Sequence, residues 1–265
     1  MKRRSDLLLL GGLLSAGLLA WPGSGRAWAA EETGIPEAAT WLDWLHRLVP
    51  SWIPVQFFWS VFTILLLTVI AWAGTRRMRR QPKGLQNLLE MAVEGLGRLF
   101  VGVMGPAGRG YVPFLATLFI YILAMNLLGL LPGFASPTSN LNTTAALALV
   151  VFLATQIHGF RVNGLRYLKH FIGEPWWLCP VMLPVHLLGE LARPLSLSVR
   201  LFGNIFSEDM VILTLIGMAA GLALPLLPLQ FPMLLLALLT SLVQALIFSF
   251  LAAIYLFLAT GEEHT

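Results

Sequence analysis

One stretch of this sequence restricts its possible folds more than any other: residues 210–261 contain no Asp, Glu, Lys or Arg. Soluble domains carry about 25% charged residues, whereas this chain of 265 residues is 57% hydrophobic and 11% charged. Its basic residues stand beside apolar segments, which is the pattern that orients membrane proteins and not that of a nucleic-acid-binding face. The composition therefore predicts an all-α integral membrane protein that lies in a lipid bilayer and binds no nucleic acid.

In residues 1–29, the basic, apolar and small residues follow the order of a secretory signal peptide. A basic start precedes an apolar run from Leu7 to Ala20, and Ala27 and Ala29 form the small-residue pattern that favours cleavage after Ala29. The alternative is a retained membrane anchor, but this run of 14 residues is shorter than the roughly 20 that a spanning helix needs. Cleavage would leave the mature N-terminus on the outer side of the membrane.

The next segments predict how the chain first enters the membrane. In the outer segment 30–52, Trp41, Leu45 and Leu48 recur on one face, which favours a short interfacial helix. Residues 53–74 form the first clear span and open the membrane domain, 53–265. By the positive-inside rule, the five basic residues after this span mark the cytoplasmic side: they are Arg76, Arg77, Arg79, Arg80 and Lys83.

Residues 84–104 predict an amphipathic helix on the cytoplasmic surface, because polar residues recur every four positions opposite an apolar face. These polar residues are Gln86, Glu90, Glu94 and Arg98. Further spans are predicted at 111–133 and 143–160. The loop between them has no charge and is expected outside, and the segment after the third span is basic and expected inside.

Residues 183–260 predict a helical hairpin whose arms are longer than a bilayer is thick. At 1.5 Å per residue the first arm, 183–221, would be about 58 Å long and the second, 232–260, about 43 Å, against a hydrocarbon core of about 30 Å. Arms of this length must tilt, bend or run along the interface. The expected turn contains Gly221, Pro225, Pro228 and Pro232. With this hairpin, the sequence predicts about five membrane helices and a C-terminus on the cytoplasmic side.

The first arm carries a stripe of polar residues on one face. At about 100° per residue, five residues lie within about 40° of His186; they are Glu190, Arg193, Arg200, Asn204 and Glu208. Asp209 lies off this polar stripe. An arginine at the bilayer centre costs from about 2.5 to more than 10 kcal/mol. A lone Arg200 could reach the headgroups or pair with Glu208, but a whole stripe favours an ion path.

Arg200 divides this path into two access routes. Carboxylates and imidazole can take up and release protons, whereas a guanidinium cannot, because its pKa is above about 12. The route on the N-terminal side contains Glu190 and His186. The route on the C-terminal side contains Asn204, Glu208 and Asp209. Gln244, deep in the second arm, makes either an ordinary interhelical hydrogen bond or one opposite Arg200.

Four sequence motifs resemble the a subunit of bacterial and chloroplast F-type ATP synthases. The most specific is RPLSLSVRLFGNI, at 193–205, with SED at 207–209. NLLGLLP at 126–132, PTSNLNTTAALAL at 137–149 and QALIFSFLAAIYL at 244–256 follow the same order as in that family. The resemblance covers roughly residues 55–263.

This resemblance implies a stator subunit that couples proton flow to ATP synthesis and is not catalytic by itself. Its partners would be a rotating ring of c subunits, each with a carboxylate at mid-membrane, the b-type peripheral stalk and the rest of the complex, in the bacterial cell inner membrane. Arg200 matches the family's essential arginine, and Asn204 and Gln244 match polar residues around it. Asp209 and Glu208 match the acidic positions of the outer half-channel.

The sequence departs from the family pattern in two places. His186 stands fourteen residues before Arg200, where many members have a glutamate, so the inner half-channel is assigned to Glu190 and His186 jointly. Some members carry a histidine in the last helix, whereas residues 235–240 here contain no ionisable group. The coupling ion, H⁺ or Na⁺, depends largely on the ring subunit.

Three other classes of function fit the sequence less well. A secondary transporter often has inverted repeats, and this chain has no internal symmetry. A membrane enzyme would need a cofactor motif, but no metal-binding or nucleotide-binding motif occurs, and His158 and His186 do not form a haem-ligand pair. No cofactor or metal is therefore expected. A passive membrane anchor would not need the polar stripe.

Overall fold

A computed structural model describes residues 55–76, 84–131, 136–164, 179–221 and 227–260. Throughout these ranges the chain is helical and contains no strand, which confirms the predicted all-α class. The predicted signal peptide, 1–29, the outer segment, 30–52, and most of the basic residues that mark the cytoplasmic side lie outside the described residues.

Six α-helices run through the described ranges. We number them α1 (Val55–Thr75), α2 (Leu85–Met104), α3 (Val112–Gly129), α4 (Leu141–Asn163), α5 (Cys179–Gly221) and α6 (Leu227–Thr260). Short 3₁₀ helices, Pro106–Gly110 and Pro137–Ser139, precede α3 and α4. The first four α-helices begin and end within a few residues of their predicted bounds.

Four of the six described helices are long and apolar enough to cross a membrane. The apolar parts of these are Phe57–Thr75 in α1, Val112–Gly129 in α3, Leu141–Asn163 in α4 and Phe231–Thr260 in α6. α5 is not among them, although it is 43 residues long. Its central part carries five charged residues, which are Glu190, Arg193, Arg200, Glu208 and Asp209.

α2 differs from the spanning helices and has two unlike faces. Leu96, Phe100 and Met104 are buried in the protein, whereas Glu90 and Glu94 are exposed. The Phe100 ring meets the edge of the Phe250 ring of α6, with centroids 5.8 Å apart. α2 is therefore buried on one side and exposed on the other, and its place on the cytoplasmic surface stays a prediction.

The second arm of the hairpin begins earlier than the proline pattern suggested. α6 starts at Leu227, so that Pro228 lies in its first turn and Pro232 lies inside it. A proline fits the first turn of a helix because the backbone N–H groups there have no intrahelical acceptor. In α5, Pro184 and Pro194 also lie inside the helix.

The core lies around α3, which packs against α1, α2 and α6. On α6, small residues recur on the buried face, among them Ser241, Ala245, Ser249, Ala252 and Ala253. In a bilayer, small residues let helices approach closely, and this contact replaces much of the hydrophobic driving force that soluble proteins use. α6 therefore packs tightly against α3, α4 and α5 while its other side stays exposed.

Polar contacts join the helices at both ends of the bundle. Thr138 donates a hydrogen bond of 2.8 Å to Asn126 Oδ1, and its hydroxyl is 2.7 Å from that of Ser136. At the other end, Asn163 Nδ2 donates to the carbonyl of Ala259 at 3.1 Å. These contacts fix α3 to the segment before α4, and α4 to the end of α6.

Candidate functional site

The polar stripe of α5 divides into three parts with different surroundings. Arg200 stands at the midpoint of the helix and its side chain is exposed. Its guanidinium makes no hydrogen bond or ion pair within the described residues. At 1.5 Å per residue, Glu190 lies about 15 Å from Arg200 along the helix and Glu208 about 12 Å in the other direction.

One turn beyond Arg200, the stripe is joined to α6 by an amide pair. Asn204 Nδ2 donates a hydrogen bond of 2.8 Å to Gln244 Oε1. Gln244 is buried, whereas Asn204 is exposed, so the pair reaches from the interior of the hairpin to its surface. Gln244 therefore does make an interhelical hydrogen bond, and its partner is Asn204, one turn from Arg200.

A second contact between the two helices lies one turn further along. The hydroxyl of Thr240 is 3.0 Å from Glu208 Oε1 and 3.2 Å from Oε2. Both residues are half-buried, as is Asp209. Thr240, in the segment that has no ionisable residue, supplies a polar partner for Glu208.

On the other side of Arg200, Glu190 is buried and held by two partners. Its carboxylate forms an ion pair of 2.5 Å with Arg193, one turn later on α5. Gln156 of α4 donates a hydrogen bond of 3.1 Å to Glu190 Oε2. Glu190 is therefore joined both to its own helix and to α4.

Arg193 also contacts α6, where its guanidinium lies over the ring of Tyr255, 5.3 Å from the ring centroid. A cavity of about 10 Å³ opens beside this group, lined by residues that include Thr155, Glu190, Arg193 and Tyr255. This volume is enough for about one water molecule. His186 is half-buried one turn before Glu190.

The sequence identified both residues of the Asn204–Gln244 contact, but it missed one partner each of Glu190, Arg193 and Glu208. Gln156, a polar residue in an apolar span, and Tyr255 each meet the stripe only through the packing of another helix, which the sequence does not reveal. Arg193 lies three residues after Glu190, a spacing at which helical side chains are neighbours, so this ion pair could have been predicted. Thr240 is polar in an apolar helix, which was the available sign of its role.

The described residues contain no group of three or more His, Cys, Asp or Glu side chains that could hold a metal ion. The polar groups of the site can instead hold and exchange protons, or pair with a charge on a partner. A titratable group lies on each side of Arg200, whose own charge is permanent.

Comparison with known proteins identifies the family. A family model described as ATP synthase A chain matches residues 57–257. A protein of Syntrophotalea carbinolica named ATP synthase subunit a 1 is 48% identical over 76% of this chain and 83% of its own length.

Two further relatives are named ATP synthase subunit a. That of Trichlorobacter lovleyi is 44% identical over 83% of this chain and 92% of its own length. That of Geobacter sulfurreducens is 40% identical over 79% of this chain and 88% of its own length. The chain therefore belongs to the ATP synthase a-subunit family, which confirms the resemblance seen in its motifs.

Proposed function

We propose that this multi-pass membrane protein is the stator a subunit of an F-type ATP synthase in a bacterial inner membrane. It provides two offset half-channels that lead protons to and from carboxylates on a ring of c subunits. Membership of the family supports a proton-channel component of the complex that is not its catalytic subunit. Proton flow then turns the ring, and the rest of the complex, including a b-type peripheral stalk, couples this rotation to ATP synthesis.

The observation that carries the proposal is the position of Arg200. It is an exposed, permanent charge at the midpoint of α5, with titratable groups on both sides. An exposed cation attracts the ionised carboxylate of a passing ring subunit, and it repels a proton that would cross directly between the routes. Proton passage then requires the ring to turn.

We assign the outer half-channel to the polar residues after Arg200 together with Gln244 of α6, and the inner one to the residues before Arg200. The outer group is Asn204, Glu208, Asp209 and Gln244. The inner group is Glu190 and His186. Arg193 holds the carboxylate of Glu190, so a proton that binds there competes with this guanidinium for the negative charge.

The direction of the routes follows from the proposed topology, in which the N-terminus lies outside and the C-terminus in the cytoplasm. In this orientation α5 enters from the cytoplasmic side at Cys179, so that Glu190 lies nearer the cytoplasm and Glu208 nearer the outside. Long hairpin arms, tilted in the membrane, would present both routes side by side to the ring.

Proton movement in inside-out vesicles that carry the assembled complex tests the role of Arg200. We expect Arg200→Ala to abolish ATP-driven acidification while passive proton leak under an imposed potential persists or increases. Arg98→Ala, which removes an exposed arginine from the surface helix α2, is the matched control and should behave as wild type. Normal acidification in Arg200→Ala vesicles would contradict the proposal.

The assignment of the half-channels has its own test. Glu190→Gln and Asp209→Asn should each slow coupled proton flux, because neither amide can carry a proton. The same vesicles measure both variants, with assembly verified from the amount of complex in the membrane. Wild-type rates in both variants would show that the assigned routes are wrong even if Arg200 is essential.

A further inference from the structure

The hydroxyl of Thr240 has more acceptors within reach than it has protons. It lies 3.0 Å and 3.2 Å from the two carboxylate oxygens of Glu208, and 3.0 Å from the carbonyl oxygen of Ala237 in its own helix. A threonine hydroxyl has one proton to donate and two lone pairs that accept. At any moment it therefore donates to one of these groups only.

This arrangement gives Glu208 a partner in both of its protonation states. When the carboxylate is ionised, Thr240 donates its proton to a carboxylate oxygen. When Glu208 is protonated, its own O–H can donate to Thr240 Oγ1, and the threonine proton turns to the carbonyl of Ala237. The distance between the two side chains does not have to change, because only the direction of the hydrogen bond is reversed.

No other described side chain makes a hydrogen bond or an ion pair with Glu208. Between residues 227 and 260, α6 contains no Asp, Glu, Lys, Arg or His, so the facing helix offers no charged partner. Two other hydroxyls on these helices donate only to the backbone of their own helix: Thr214 donates to Met210 at 2.7 Å and Ser249 to Ala245 at 2.8 Å. Thr240 is distinct from these two because it also reaches across to Glu208 on α5.

We propose that Thr240 is a positioning residue, which keeps the carboxyl group of Glu208 in one place while protons bind to it and leave. This inference rests on the proposed function, in which Glu208 belongs to the outer half-channel. It gives Glu208 a role in proton exchange. It also explains why residue 240, in an otherwise apolar segment, is polar.

Two substitutions of Thr240 in the assembled complex distinguish the effect of its hydroxyl from the effect of its side-chain shape. Thr240→Val keeps the branched shape and removes the hydroxyl, whereas Thr240→Ser keeps the hydroxyl. A hydrogen bond to a charged group stabilises by about 1.5 kcal/mol or more, so we expect Thr240→Val to slow coupled proton flux about tenfold. Thr240→Ser should restore most of the rate, and Thr214→Val should behave as wild type.

A second substitution at Glu208 shows whether Thr240 acts through that residue. Glu208→Gln should slow coupled flux, and the addition of Thr240→Val to this variant should slow it no further. If Thr240→Val alone has the wild-type rate, or if Thr240→Ser is as slow as Thr240→Val, Thr240 does not position Glu208 through its hydroxyl. A further loss in the double variant would also overturn the inference.

The proposed outer half-channel and the proposed role of Thr240 can be disproved separately. A wild-type rate for Glu208→Gln removes Glu208 from the outer half-channel, and with it the role of Thr240. A slow Glu208→Gln variant beside a wild-type Thr240→Val variant leaves the half-channel intact and overturns the inference about Thr240 alone. Equal amounts of assembled complex in every membrane preparation are required for these comparisons.

Discussion

At the scale of single residues, Glu190 and Arg193 show how the protein keeps a carboxylate in its interior. Glu190 is buried and Arg193 is partly exposed, and they form an ion pair of 2.5 Å. The loss of one partner leaves an uncompensated buried charge, which is far more costly than the replacement of both. The pair therefore contributes to stability as well as to the proposed inner route.

We expect Arg193→Gln to destabilise the protein by about 3 kcal/mol, because it leaves the charge of Glu190 without a cation. The double variant Glu190→Gln/Arg193→Gln has no buried charge and should recover most of this loss. Thermal denaturation of the purified complex, followed through the release of this chain, measures both. Equal denaturation temperatures for the single and double variants would contradict the assigned ion pair.

A glycine at the end of α3 gives a second test at the residue scale. A Cβ atom on Gly129 would lie 2.5 Å from Cβ and 3.1 Å from Cα of Ser136, so the backbone itself would have to move. We expect Gly129→Ala to destabilise the protein by about 1–3 kcal/mol, as measured by the same thermal denaturation. A Cβ atom on Gly102 in α2 meets nothing within 4 Å, and Gly102→Ala should be neutral or stabilise by about 0.5–1 kcal/mol.

At the scale of elements, α5 and α6 are joined by two polar contacts in the proposed outer route. The Asn204–Gln244 hydrogen bond predicts that thiols at these two positions lie close together. In a chain with Cys179 replaced by serine, Asn204→Cys/Gln244→Cys should be cross-linked by a short bifunctional thiol reagent. In Asn204→Cys/Leu242→Cys the second thiol is on the exposed side of α6, and cross-linking there to the same extent would contradict the packing.

The sequence predicted the helices well, because their apolar lengths and flanking residues are local properties of the chain. It treated the polar stripe as one face, whereas the structure places Glu190 in the interior and Arg200 on the surface. The two residues are about 80° apart around an ideal helix, which is enough for a neighbouring helix to cover one and not the other. Periodicity gives a residue's angle on its own helix and does not reveal which helix packs against it.

The same limit explains the residues that the sequence missed. Gln156 meets Glu190 from α4, at a separation of 34 residues along the chain. Tyr255 meets Arg193 from α6. The early start of α6 has a different cause, since Pro228 looks like a turn residue and is equally suited to the first turn of a helix.

At the scale of the whole molecule, the proposed topology predicts which surfaces face each side of the membrane. Leu131 follows α3 and Arg109 precedes it, and both are exposed. In the Cys179→Ser background, a thiol at position 131 should react with a membrane-impermeant reagent in spheroplasts. A thiol at position 109 should react only in inside-out vesicles, and the reverse pattern would invert the proposed orientation.

The exposed position of Arg200 also has a consequence for how strongly the chain associates with its partner. A guanidinium that faces lipid hydrocarbon costs at least about 2.5 kcal/mol. A partner that covers it with a carboxylate removes this cost, and a gain of that size corresponds to a roughly 60-fold lower dissociation constant. Arg200, which is proposed to separate the two proton routes, would then also make the free chain less stable than the chain in the complex. Mass action would therefore favour assembly.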